Sequence, residues 1–159
     1  MPEIMAIEEG CFLDDPWSML EFCCAMQQIS FRGMVVEHSG RVVGYVIFQG
    51  LVNRFRIVNM AVHPACWKRG VGRFMVHHLL AKIRHGGRYK LTAFVRETNL
   101  ACQLFLRALG FRAIKIIGGS FPETGEDGYL FLRYADKPKR CRRVRENLIE
   151  DTWEHECDR

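Results

Sequence analysis

The stretch "HPACWKRGVGRFMVHHLL", residues 63–80, decides how the chain is read. It lies where an apolar run over 57–62 gives way to a helical pattern, and it gathers Lys68, Arg69 and Arg73 around Gly70 and Gly72. Glycine lets backbone come close to a ligand. A helix that opens here leaves its first N–H groups without intrahelical partners. Those donors, the helix dipole and the three cations favour an anion, typically a phosphate. A G-x-G turn alone also fits a plain solvated helix start, so the flanking sequence has to decide.

Upstream, "RFRIVNMAVHP" (54–64) reads as a strand closed by Pro64. Before it, "GMVVEHSGRVVGYVIFQGL" (33–51) reads as a hairpin turning at Ser39-Gly40. Residues 3–11 read as a short helix with Ile4, Ile7 and Cys11 on one face. A second helix is signalled by Ser18 as N-cap, Glu21 three residues on, and Trp17 stapling to Phe22; it carries Leu20, Cys23, Cys24 and Met26. Downstream of the turn, a helix runs from about Gly70 to Ile83 with Val71, Met75, His78 and Leu79 inward, ended by Gly86-Gly87. "YKLTAFVR" (89–96) is a strand, and strand alternation puts Thr92, Phe94 and Arg96 on one face. "TNLACQLFLRALG" (98–110) is a helix capped by Thr98 or Asn99, with Leu100, Leu104, Phe105 and Ala108 inward and Gly110 as terminator. "FRAIKII" (111–117) and "GYLFLRY" (128–134) are strands separated by the loop "GGSFPETGED" (118–127). The expected order is ααβββαβαββ over 1–135, with 136–159 as a basic C-terminal extension, helical over "VRENLIEDTWEH".

Composition narrows the function classes. A chain of 159 residues, 48% hydrophobic and 26% charged, suits one domain with one real core. No apolar run reaches the roughly 20 residues of a membrane helix, and the acidic start "MPEIMAIEEG" is not a signal peptide; a cytoplasmic protein without a membrane partner is expected. The seven cysteines form an odd set without a C-x-x-C pair, which argues for reduced thiols rather than a disulfide framework or a zinc site. Cys141, His155 and Cys157 match no zinc spacing, and no metal is expected. The net charge of +5 is uneven, with a second basic group, "KPKRCRRVR", at 137–145. That group is either a solvated tail or a contact for an acidic partner such as RNA or the ribosome. The cations are not interleaved with aromatics on one platform, which argues against nucleic-acid binding as the main role.

"VNMAVHP", the basic glycine turn and "VRETNLACQLFLRALGF" together resemble the GCN5-related N-acetyltransferase (GNAT) family over nearly all of 1–135. Within it, the chain looks most like the bacterial enzymes that acetylate ribosomal-protein alanines, through "CFLDDPWS" (11–18), N-M-A-V, V-R-x-x-N and the E-D-G-Y that ends the late loop. The resemblance implies an α/β fold: a mixed, mostly antiparallel sheet flanked by helices, in which the strand before the turn splays from its parallel neighbour. It implies acetyl-CoA as cosubstrate and transfer of an acetyl group to a primary amine, most of all a protein or peptide N-terminal α-amine, a ribosomal protein among the candidates. By position, Met60, Ala61 and Val62 would line the acetyl and pantetheine arm. Lys68, Arg69, Gly70, Val71, Gly72 and Arg73 would hold the pyrophosphate, and Asn99 would contact the cofactor or simply cap its helix.

The chain departs from that pattern in four places. Trp67 stands where the family has Arg or Gln before the first glycine. Phe94 fills the slot of the glutamate general base. The tyrosine acid has no counterpart, since its two usual slots hold Leu106 and Phe121. Finally, helix-like sequence follows Met1 directly, so either the family's first strand is missing or the start is internal. Glu97 and His63 are the nearest ionisable side chains and the only, weak, catalytic candidates; each also has a plain structural reading. Glu123, Glu126 and Asp127 either orient a cationic amine or are ordinary surface acids. Two alternatives stay open beside the α-amine enzyme: an acetyl-CoA-binding protein with weak or no catalysis, and a small-amine acetyltransferase of the polyamine or aminoglycoside type.

Overall fold

The computed structural model describes residues 1–13, 15–85 and 89–135. The expected stop at Gly86-Gly87, the extension 136–159 and the Cys141–His155–Cys157 grouping lie outside the described residues. The elements follow the expected order: α1 (Pro2–Cys11), α2 (Met19–Gln27), β1 (Phe31–His38), β2 (Arg41–Gly50), β3 (Arg54–Val62), α3 (Val71–His85), β4 (Lys90–Arg96), α4 (Leu100–Ala108), β5 (Arg112–Phe121) and β6 (Glu126–Tyr134). One 3₁₀ turn, Pro64–Cys66, links β3 to the basic turn. None of the described helices is long and apolar enough to cross a membrane.

Local chemistry sets the boundaries. Pro2 opens α1, where its missing N–H costs nothing. Ser18 and Glu21 form the reciprocal capping box of α2, and Trp17 packs edge-on against Phe22 at 5.3 Å. Ser39 and Gly40 adopt φ of +52° and +73°, the left-handed pair that a tight hairpin requires.

The six strands form one sheet in the order β1-β2-β3-β4-β6-β5, antiparallel except for β3 and β4. Its two faces bury separate clusters. On one, Met75, Val76, Leu79, Leu80 and Ile83 of α3 and Leu106 and Leu109 at α4 cover Val46, Phe48, Phe55, Ile57, Leu91, Ala93 and Val95. On the other, Ile7 of α1 and Phe22 of α2 pack on Tyr45, Ile47 and Ala61. Glu8 is buried here too, yet its carboxylate is met by the Asn59 amide at 3.0 Å, the Trp17 N–H at 2.8 Å and the Tyr45 hydroxyl. Burial and this hydrogen bond to Glu8 push the Tyr45 pKa up.

The register holds one irregularity that the pattern of residues does not announce. Phe48 pairs with Ile57 but Ile47 pairs with Asn59, so Val58 is an extra residue, a β-bulge. Before it, Phe55 and Ile57 face α3; after it, Met60 and Val62 take that face while Asn59 and Ala61 turn to α1. The parallel pairing of β3 with β4 stops at the same place, at Ile57↔Ala93. A bulge bends its strand and increases the local twist, so β3 departs from β4 from Val58 onward.

Three expectations need correction. The inward side of α4 is Leu106 and Leu109, with Cys102 and Phe105 partly buried, whereas Leu100 and Leu104 are 60% and 54% exposed. Ala108 is exposed as well, so only a narrow stripe of the helix is covered, where Leu106 and Leu109 join Phe111 and Phe131 in the core cluster. In α3, Val76, Leu80 and Ile83 are buried while His78 is only half-buried. The late loop is shorter than 118–127, because the strands run to Phe121 and from Glu126.

The register of α4 can be checked by truncation. Leu106→Ala should cost about 2–5 kcal/mol in denaturant unfolding, the usual range for a core leucine, and Leu104→Ala should stay within about 0.5 kcal/mol. Equal costs would contradict this packing.

Candidate functional site

Where β3 leaves β4, a V-shaped gap opens in the sheet. Its walls are β3 beyond the bulge and the end of β4, which stays paired to β6 through Arg96↔Gly128. The His63 N–H bonds to the Val43 carbonyl on β2, at 2.9 Å. Alternation along a strand therefore turns the peptide groups of Ala61 to β2 as well, and those of Met60 and Val62 to the open edge. The Ala61 side chain is buried in the cluster with Ile7 and Phe22. The Val62 carbonyl on that edge already accepts the Trp67 indole N–H at 2.6 Å and the Cys11 thiol at 3.2 Å. Burial, the largest influence, raises the Cys11 pKa, so the group stays a thiol that donates.

The basic turn sits at the mouth of this gap. Lys68 and Gly70 have φ of +58° and +91°, left-handed conformations that fold the chain back into the start of α3. The first helical bond runs from the Phe74 N–H to the Gly70 carbonyl, so α3 offers no carbonyl to the N–H groups of Val71, Gly72 and Arg73. The two glycines have different reasons. A Cβ at Gly70 would meet nothing within 4 Å, so the backbone here is open to a ligand. A Cβ at Gly72 would lie 3.2 Å from the Phe105 ring and 3.8 Å from a Val62 methyl. Gly72 thus lets α3 pack against α4 and abut the end of β3, a packing role that spacing alone did not separate from ligand approach. Lys68, Arg69 and Arg73 are exposed around this point.

The α1 face of the gap ends in a stack of side chains. Phe94 and Phe121 stack with centroids 5.6 Å apart and planes within 16°, and the Arg96 guanidinium lies 4.1 Å over the Phe121 ring. Arg96 also bonds to Glu126 at 3.0 Å, Thr124 at 3.3 Å and Asp15 at 2.6 Å. Bonds from Thr98, Thr124 and Arg96 hold the Glu126 carboxyl below its ordinary range. The Phe94 ring rests on Gly128, where a Cβ would fall only 1.9 Å from it.

The remaining candidates are placed by structural bonds. Asn99 accepts the Cys102 N–H at 3.0 Å as the cap of α4. His63 is exposed and its Nδ1 accepts the Ala65 N–H, capping the 3₁₀ turn. Glu97 accepts the Asp127 N–H at 3.3 Å and is likewise exposed. Asp127 accepts the Gly119 N–H, so only Glu123 of the three loop acids is uncommitted. Leu106 is 1% exposed and belongs to the core, so its slot faces protein rather than the gap. Among the described residues no three His, Cys, Asp or Glu side chains could share a metal. Sequence reasoning missed the bulge at Val58 and the Arg96 contacts; the V-R-x-x-N motif carried the second, but its partners come from two distant loops.

This geometry agrees with comparisons to known proteins. The model of the acetyltransferase (GNAT) family matches residues 2–111. The [ribosomal protein bS18]-alanine N-acetyltransferase of Escherichia coli K12 is 27% identical over 109 residues, covering 69% of this chain and 73% of that one. The N-alpha-acetyltransferase RimI of Mycobacterium tuberculosis is 26% identical over 129 residues, covering 79% and 80%. The crystal structure of the E. coli enzyme superposes with a TM-score of 0.75 over 94% of this chain and 92% of that chain, at 24% identity. A GNAT acetyltransferase from Elizabethkingia anophelis with acetyl-CoA bound superposes at 0.66 over 74% and 83%, at 15% identity.

The aromatic slot makes a testable pair. Gly128→Ala should destabilise the protein by about 1–3 kcal/mol, as overpacking does, and Phe94→Ala in the same chain should relieve most of that cost. Additive losses in denaturant titrations would show that the ring does not occupy this place.

Proposed function

The chain belongs to the acetyltransferase (GNAT) family and, as such, transfers an acetyl group from acetyl-CoA to an amine; we propose that this amine is the N-terminal α-amine of a protein or peptide. The observation that carries the reading is the open edge of β3 beyond Val58, directly beside the start of α3. The relatives named above, one acting on an alanine of ribosomal protein bS18, support a protein acceptor.

The residues present fit acetyl-CoA. Left-handed positions at Lys68 and Gly70 and the three amides of Val71, Gly72 and Arg73 make an anion cradle, and Lys68, Arg69 and Arg73 neutralise a pyrophosphate there. The N–H groups of Met60 and Val62 are the donors left for an extended amide arm and for negative charge on a carbonyl oxygen. Trp67 adds no charge in the slot where relatives of this pattern carry Arg or Gln; it ties the turn to β3 through the Val62 carbonyl. Acetyl-CoA supplies an activated acyl carbon: the amine nitrogen bonds to it, the C–S bond breaks, and the amine proton leaves as the thiol forms. The chain's own part is to hold these atoms in line and exclude water.

No carboxylate or phenol stands in the slots that serve as base and acid elsewhere in the family, because Phe94 and Phe121 are stacked hydrocarbon and Leu106 is core. Positioning and oxyanion donors therefore carry the rate here, and the amine has to arrive neutral. A typical α-amine, with a pKa of about 8, is partly neutral at pH 7. A lysine side chain, at about 10.4, is not, which favours the α-amine.

Thiol release from acetyl-CoA, measured with a panel of N-terminal peptides, a polyamine and an aminoglycoside, should appear with peptides and lie in the α-amine by mass spectrometry. Absence of turnover on every peptide would overturn the reading, and turnover confined to the small amines would replace it. Phe94→Glu should raise kcat/KM by up to about 10²-fold, the low end for a general base. An unchanged rate would mean that amine deprotonation is not limiting.

A further inference from the structure

Arg96 holds together two loops that approach each other from opposite ends of the chain. Asp15 belongs to the connection between α1 and α2, and Thr124 and Glu126 to the β5–β6 hairpin. Both loops stand at the end of the gap on the α1 face, where Phe94 and Phe121 close its wall. One guanidinium nitrogen serves the hairpin, through Glu126 and Thr124, and the other serves Asp15. The flat of the same group rests on the Phe121 ring. Only arginine can stack a planar cation and fork its edges toward several acceptors at once.

The two sides of the clasp are unequal. Glu126 is largely covered, with 15% of its side chain exposed, while Asp15 is 72% exposed. The hairpin side is thus the anchor. The Asp15 side is a solvated ion pair of modest strength, and salt weakens such pairs.

We propose that Arg96 is a positioning residue that sets the width of the acceptor entrance by clasping the α1–α2 connection, at Asp15, to the β5–β6 hairpin. This rests on the reading of the site as an acetyltransferase whose acceptor enters between those loops. The clasp acts on the acceptor and not on acetyl-CoA, because the basic turn lies at α3, on other elements. An open clasp leaves the acceptor amine loosely held, so KM for the acceptor rises while acetyl-CoA binding is unaffected.

The test compares Asp15→Ala, Arg96→Lys, Arg96→Ala and the Asp15→Ala/Arg96→Ala double variant in the full chain. It combines steady-state kinetics with hydrogen exchange over the two loops. Asp15→Ala, on an exposed site where folding is not at risk, should raise acceptor KM about three- to fivefold, the worth of a good surface pair. It should also abolish the rise of acceptor KM with added salt. Arg96→Lys should do at least as much, since an ammonium cannot fork. The double variant should be no worse than Arg96→Ala alone, and KM for acetyl-CoA should stay constant throughout. Exchange should quicken in both loops together in Asp15→Ala. Unchanged acceptor KM and unchanged exchange in Asp15→Ala, or additive effects in the double variant, would overturn the clasp. If no peptide is acetylated, the α-amine reading fails, and the exchange data still decide for or against the clasp.

Discussion

The opening in the sheet depends on one extra residue in a strand. Val58 bulges out of the ladder between β2 and β3, and from that point β3 and β4 share no hydrogen bonds. In a buried sheet, unpaired backbone donors are costly, so a gap of this kind persists only where another chain, water or ligand can reach it. The bulge also reverses which residues face which layer. Phe55 and Ile57 are committed to the α3 side before it, and Asn59 and Ala61 to the α1 side after it. A single irregularity thereby leaves a strand edge unpaired and keeps both hydrophobic faces covered.

The opened strand is held from the other side by a buried polar knot. Glu8 receives the Trp17 N–H and the Asn59 amide as well as the Tyr45 hydroxyl, which joins α1, the start of α2, β2 and β3. Burial of a carboxylate is tolerated only when its oxygens are met, and here each acceptor has a donor. The consequence is mechanical. The helix pair on the α1 face is registered against the same segment of β3 that borders the gap.

The wall at the end of β4 shows how chemistry and packing share a position. An aromatic ring at Phe94 displaces the carboxylate expected of the family pattern, and it fits because Gly128 has no side chain beneath it. Phe121 completes the stack and Arg96 covers it, so the slot presents stacked rings in place of a titrating group.

Much of this was legible in the residues. Element order, the Ser18–Glu21 capping box, the Ser39-Gly40 turn and the cationic helix start at Gly70 are local signals, written in neighbours a few positions apart. Local chemistry dictates them, because caps, turns and helix termini satisfy their own backbone groups. The bulge at Val58, the packing duty of Gly72 against Phe105, the core position of Leu106 and the convergence of Asp15, Arg96 and Glu126 were decided by tertiary structure. Each depends on which distant strand or helix lies alongside, and a sequence period cannot report that. In α4 the helical period is visible in the residues but the buried stripe is not, since the helix has more apolar residues than the core covers. The residues alone fix where a cationic helix start lies; the open strand edge beside it belongs to the folded sheet, because that opening comes from a register shift between strands rather than from any residue's own preference.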